Sequence, residues 1–138
     1  MAARLEQIVR RMMSAGWKPG EAAREIAIDA AETELGVAFP SDYRAFLSEA
    51  GGSIAGDRWR GLWTLAEVVS LNRHMPVFRW FKGLVGIGNE GFLVYAIDFR
   101  EPGSPPVISV GLSSSDPEDI QRESDSFLEW LEDTLPKK

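Results

Sequence analysis

Apolar residues at Leu5, Ile8, Val9, Met12 and Met13 recur at three- and four-residue spacing, the period of one helix face, and the pattern breaks at Ala15-Gly16. Pro19 and Gly20 then lead into an alanine-rich run that predicts a second helix over residues 21–35, ended by Gly36. Phe39-Pro40 turns the chain. Ser41 is placed to cap a third helix, Asp42 suits the positive end of its dipole, and Tyr43, Phe46 and Leu47 form its apolar stripe before Gly51-Gly52. Thr64-Leu65-Ala66-Glu67 has capping-box spacing and opens a fourth helix, with Leu65, Val68, Val69 and Leu71 available to the core.

After Pro76 the period changes from 3.6 to the β pattern, in strands predicted over residues 77–81, 84–87, 92–97 and 107–110. Gly88-Asn89-Glu90-Gly91 reads as a hairpin loop with glycines where φ is positive, and residues 100–106, with Pro102, Gly103, Pro105 and Pro106, as a second turn. Ser124 is placed to cap a last helix, whose Phe127, Leu128, Leu131 and Leu135 lie on one face before Pro136. Helices, then a block of strands, then a terminal helix make an α+β domain with an antiparallel meander.

Gly86, Gly88 and Gly91 have the G-x-G-x-x-G spacing of a nucleotide-binding loop. A dinucleotide site needs the third glycine to open a helix whose N-terminus faces the pyrophosphate. Gly91 instead opens Phe92-Leu93-Val94-Tyr95-Ala96-Ile97, a strand composition. A kinase loop would lie between strands, but Val94 comes one place late and neither V-A-I-K, H-R-D nor D-F-G follows. The glycines are therefore read as turn residues.

The 138 residues, 44% hydrophobic and 26% charged, suit one globular domain, residues 1–138. The chain has no cysteine, which removes disulfides, thiolate catalysis and cysteine-ligated zinc. The N-terminus intersperses charge among apolar residues, unlike a signal peptide, and no run approaches a membrane span, so a soluble, cytoplasmic protein is expected. A net charge of −6 argues against nucleic acid as a partner. Charge is uneven along the chain. Asp116, Glu118, Asp119, Glu123, Asp125, Glu129, Glu132 and Asp133 face only Arg122, Lys137 and Lys138, whereas bases prevail over residues 57–100. The acidic stretch reads either as a surface attracting a basic partner or as a solvated face.

Glu32-Thr33-Glu34-Leu35-Gly36, then Phe39-Pro40-Ser41-Asp42-Tyr43-Arg44-Ala45-Phe46-Leu47 and Gly51-Gly52, resemble the N-terminal signature of the SMI1/KNR4 family of the SUKH superfamily, E-x-x-L-G…L-P-x-D-Y-x-x-F-L followed by N-G-G. Residues 87–98, Pro106-Val107-Ile108, and Ser126-Phe127-Leu128-Glu129-Trp130-Leu131 are similar to that family's central hairpin, following strand and closing S-F-x-x-F-L helix. The resemblance covers about residues 28–135, with residues 1–20 a helical extension. Ala50 replaces the usual asparagine, Phe39 a leucine and Trp130 a phenylalanine. The resemblance implies helices packed around a central sheet, no catalytic constellation and no cofactor. It also implies an immunity protein that neutralises a cognate polymorphic or contact-dependent bacterial toxin by direct binding. A regulatory scaffold recruiting a cellular partner is the alternative, as for a fungal member.

No catalytic or metal-binding residue is assigned. His74 is the only histidine, so neither a His-based triad nor a two-His metal site can be built from one chain, and it is expected in an exposed loop. Asp116-Pro117-Glu118-Asp119 reads as a capped, acid-rich opening of a short helix rather than a cation loop. Candidate partner-binding residues are Asp116, Glu118, Asp119, Glu123 and Asp125, which could mimic phosphate toward a basic nuclease toxin, and Asn89 and Glu90 at the expected hairpin tip. Trp59, Arg60 and Arg79 join them, because Trp and Arg are enriched at interface hot spots. The same Trp and Arg alternation is also what a half-buried segment produces. The partner is expected to be a protein, bound by a monomer, with neither nucleic acid nor membrane.

Overall fold

The computed structural model describes residues 2–51 and 60–134. Helices α1 (Ala2–Ser14), α2 (Glu25–Leu35) and α3 (Ser41–Ala50) precede strand β1 (Arg60–Leu62), α4 (Leu65–His74) and the single-turn α5 (Val77–Trp80). Strands β2 (Leu84–Glu90), β3 (Leu93–Asp98), β4 (Val107–Gly111) and β5 (Gln121–Ser124) follow, and α6 (Phe127–Thr134) comes last. The architecture is α+β, and the sheet is an antiparallel meander in the order β1-β2-β3-β4-β5.

Central strand β3 is buried from Val94 to Asp98, because helices cover both faces of the sheet. Strand alternation turns Val94 and Ala96 toward α4 and Tyr95 and Ile97 the other way. On that second face the Tyr95 ring lies 4.9 Å from Trp130 of α6. The aromatic contacts continue from Trp130 to Phe127 at 6.0 Å, Tyr43 at 5.0 Å and Phe39 at 5.1 Å, tying α6 and α3 to the sheet. Glu32 fastens α2 to the start of α3. Its carboxylate accepts from the Phe39 N–H at 2.6 Å and pairs with Arg44, whose guanidinium also donates to Asp29 at 3.0 Å.

The expected capping box forms, with Thr64 Oγ1 accepting from Glu67 N at 3.2 Å and Glu67 accepting from Thr64 N at 2.9 Å. Other boundaries differ for identifiable reasons. Helix α2 starts at Glu25 rather than residue 21, because Ala23 N–H is drawn to the Leu47 carbonyl of α3 at 2.9 Å and Arg24 is extended. Pro40, not Ser41, is the N-cap of α3, and it makes no side-chain capping bond of its own. Residues 77–80 form a helical turn, not a strand. Pro76 starts that turn with helical φ and ψ, so the β-type composition serves packing: Val77 and Phe78 are buried, Arg79 and Trp80 exposed. Ser124 belongs to β5, and Ser126 supplies the acceptor for Glu129 N–H at the start of α6. Strands β1 and β5 were not expected, because both are short and carry no apolar alternation. Gly52, Leu135 and Pro136 lie outside the described residues.

The G-x-G-x-x-G spacing is explained by the sheet, with a separate reason for each glycine. A Cβ on Gly86 would lie 2.4 Å from the Phe78 ring and 2.8 Å from Trp63, so glycine lets α5 close onto β2. A Cβ on Gly88 would lie 2.4 Å from the Gly61 carbonyl oxygen, so glycine admits β1. Gly91 alone of the three has positive φ, at 58°. The strands run on to Glu90 and restart at Leu93, so Gly91-Phe92 is a two-residue turn of the primed type rather than the four-residue loop expected. Between Gly86 and Gly88 the register slips by a bulge at Ile87, whose carbonyl accepts from Trp63 N at 2.9 Å. Beside the bulge, Asn72 of α4 accepts from Gly86 N at 2.6 Å and donates to Gly86 O at 2.8 Å, supplying the partners a neighbouring strand residue would provide.

Candidate functional site at one end of the sheet

The strand register gathers several segments at one end of the sheet. Glu90 closes β2 opposite Arg60 of β1 and Leu93 of β3; Leu93 pairs in turn with Gly111, the last residue of β4. Leu112 N–H then donates to the Phe92 carbonyl at 2.8 Å, holding the start of the β4–β5 connection against the hairpin turn. That connection carries Asp116, Glu118 and Asp119.

A cleft of about 740 Å³ opens on the α4 side of this end. Trp63 and Val94 are its most buried lining residues, with Leu71, Met75, Pro76 and Leu112 beside them and His74, Asn89, Gly91 and Ser113 also lining it. Trp63 Nε1–H donates to Asn89 Oδ1 at 2.9 Å and Asn89 Nδ2 donates to the Gly91 carbonyl at 3.1 Å. His74 is exposed as expected, but it ends α4 rather than lying in a loop, with Nδ1 2.7 Å from the Ser70 carbonyl.

Phe92 stands at the rim of this end with 81% of its surface exposed, and neighbouring Leu93 is 37% exposed. An aromatic in the second position of a tight turn contributes little to the core. Sequence reasoning placed Phe92 inside a strand and so missed it; the available signal was its position directly after the glycine of a turn.

The carboxylates are exposed and locally organised. Asp116 Oδ1 accepts from Glu118 N–H at 3.0 Å, capping the single 3-10 turn Pro117–Asp119, as its sequence suggests. Asp119 accepts from Ser114 Oγ at 2.7 Å. Glu123 and Asp125 lie farther along, on and just after edge strand β5. Glu123 accepts from the buried Ser109 hydroxyl at 2.6 Å, and Asp125 pairs with Arg122 at 2.6 Å. Register thus brings Asn89, Glu90, Asp116, Glu118 and Asp119 to one end, and leads Glu123 and Asp125 away along the edge. Arg79 is exposed on α5, apart from that cleft, beside Trp80, which is 67% exposed. Arg60 joins the assembled end through its strand pairing, while Trp59 lies outside the described residues.

Among the described residues, no group of three or more histidine or carboxylate side chains is placed to hold a metal ion. Nor is any helix there long and apolar enough to cross a membrane. The family model of SMI1 / KNR4 (SUKH-1) matches residues 22–133. The chain belongs to the SMI1/KNR4 family. No curated protein matches it individually. Within this SMI1/KNR4 chain the signature residues Glu32 and Tyr43, with Arg44 beside Tyr43, sit in packing and helix-to-helix contacts.

Proposed function

We propose that the protein is an immunity protein, a non-enzymatic domain that neutralises a cognate bacterial toxin by binding it directly. Membership of the SMI1/KNR4 family supports this reading at the level of the family. The observation that carries it here is the run Asp116, Glu118, Asp119, Glu123 and Asp125, all exposed on the β4–β5 connection, on edge strand β5 and just after it. A basic nuclease toxin would find carboxylates there where its substrate presents phosphates. Asn89, Glu90 and Arg60 extend the contact at the sheet end. The protein acts as a cytoplasmic monomer and uses neither metal nor cofactor.

Co-expression with the protein encoded by the neighbouring open reading frame tests the proposal. Growth should be restored in cells making that toxin, and the two chains should co-purify; no rescue together with no complex would contradict it. A second reading, a regulatory scaffold, draws support from the exposed Arg79 and Trp80 pair on α5. An isolated gene with no toxin beside it would favour that reading.

A further inference from the structure

The cleft at the sheet end has properties that the acidic strip alone does not explain. Trp63 and Val94, its most buried lining residues, are apolar, and the indole N–H of Trp63 is already satisfied by Asn89. An apolar group entering would therefore leave that donor paired, the condition under which burial is favourable. The volume lies within the range of pockets that enclose a side chain or small ligand. Phe92 beside it is exposed in a turn that needs only Gly91 for its geometry.

The surroundings restrict what enters. Leu112 and Ser113 line the cleft and run directly into the stretch holding Asp116, Glu118 and Asp119, in which no base occurs. Glu90 closes the adjoining strand, with Arg60 opposite it and His74 on the cleft. The balance there is acidic, and so is the whole chain at −6, which disfavours a second copy of the same face.

We infer that this cleft receives one apolar or aromatic side chain from a partner segment bearing lysine or arginine on either side, with Phe92 packing against it and Glu118 and Asp119 pairing its bases. This deepens the toxin-binding reading and rests on it for the partner's identity, while the recognition chemistry is tested separately.

The test is an NMR titration of the isotope-labelled full chain with a synthetic peptide that has a central tryptophan flanked by lysines. One control peptide replaces the lysines with glutamates; a second replaces the tryptophan with glycine. The lysine–tryptophan peptide should shift the amides of Gly91, Leu112 and Ser113 and the indole N–H of Trp63, with both controls about tenfold weaker or more. Phe92→Ser and Glu118→Lys, both at exposed positions, should each weaken that response severalfold with melting temperature unchanged. Equal response to lysine and glutamate peptides, or shifts confined to Glu123 and Asp125, would overturn the inference. So would a concentration-dependent dimer that buries the same amides. If wild type protects cells and Phe92→Ser protects and binds toxin equally well, the cleft assignment fails and the immunity reading stands. If the peptide docks as described but no toxin is neutralised, the immunity reading fails and the cleft stands.

Discussion

Asp42, in the first turn of α3, accepts a hydrogen bond at 3.0 Å from the backbone N–H of Leu128, 86 residues later, in the first turn of α6. The other carboxylate oxygen accepts from Tyr43 N–H at 2.8 Å. One side chain thereby serves first-turn amides of two helix N-termini, which lack intrahelical acceptors, and complements both dipoles. This places the aspartate of the D-Y signature and the S-F start of the last helix in a single contact.

Replacing Asp42 by alanine should cost about 1–2 kcal/mol, the usual range for losing a helix cap. Asp42→Asn keeps an acceptor and should cost less. Urea unfolding followed by tryptophan fluorescence measures both, and equal stability of Asp42→Ala and wild type would mean that the cross-helix bond is not stabilising.

The Asn72 amide beside the β2 bulge leads to a larger expected loss. Asn72→Ala would leave the Gly86 N–H and C=O without these partners, at a cost of about 2–4 kcal/mol. Hydrogen exchange at Gly86 should accelerate more than at Tyr95 in the centre of the sheet. Uniform acceleration would indicate global destabilisation instead of a local role.

Tyr43 has the opposite sign. Its hydroxyl is, among the described residues, the buried side-chain polar atom with no hydrogen-bond partner, and burial pushes its pKa far up. Tyr43→Phe preserves the ring contacts with Phe39 and Phe127 while removing the unpaired group. Stability should be unchanged or higher by about 1 kcal/mol. A loss above that size, read from the same unfolding curves, would show that the hydroxyl is paired in solution.

Asp98 sets a pH dependence. Burial alone would raise its pKa, but hydrogen bonds from the Arg100 side chain and backbone, together with the guanidinium charge, outweigh that and hold the carboxyl below its usual range. A folded-state pKa below the unfolded one, about 3.9, means the contribution is present above that unfolded value and is lost as pH falls through the folded pKa. Asp98→Asn should flatten the acid limb of the stability profile, and an unchanged acid limb would assign it to other carboxylates.

Long amphipathic runs and local caps were legible in the sequence: the Thr64–Glu67 box and the stripes of α1 and α6 correspond to observed helices. The α+β class and antiparallel order followed from the sequence of helices, then a block of strands, then a terminal helix. Short elements were not legible, since tertiary contacts decide them. Val77-Phe78 has strand composition but becomes a helical turn after Pro76, and Arg60–Leu62 becomes a strand because Gly88 lets it approach β2. The acidic residues were visible as a run, whereas their separation into a sheet end and an edge depends on register. The cleft was invisible because Trp63, Val94 and Leu112 are far apart in sequence and meet only in the fold.

Calorimetric titration of the full chain into the toxin domain encoded by the neighbouring gene tests direct neutralisation most directly. A stoichiometric complex with Kd in the nanomolar range or tighter, weakening as salt is raised, is predicted from an acidic surface meeting a basic one. Absence of binding at micromolar concentrations of both proteins would contradict the account.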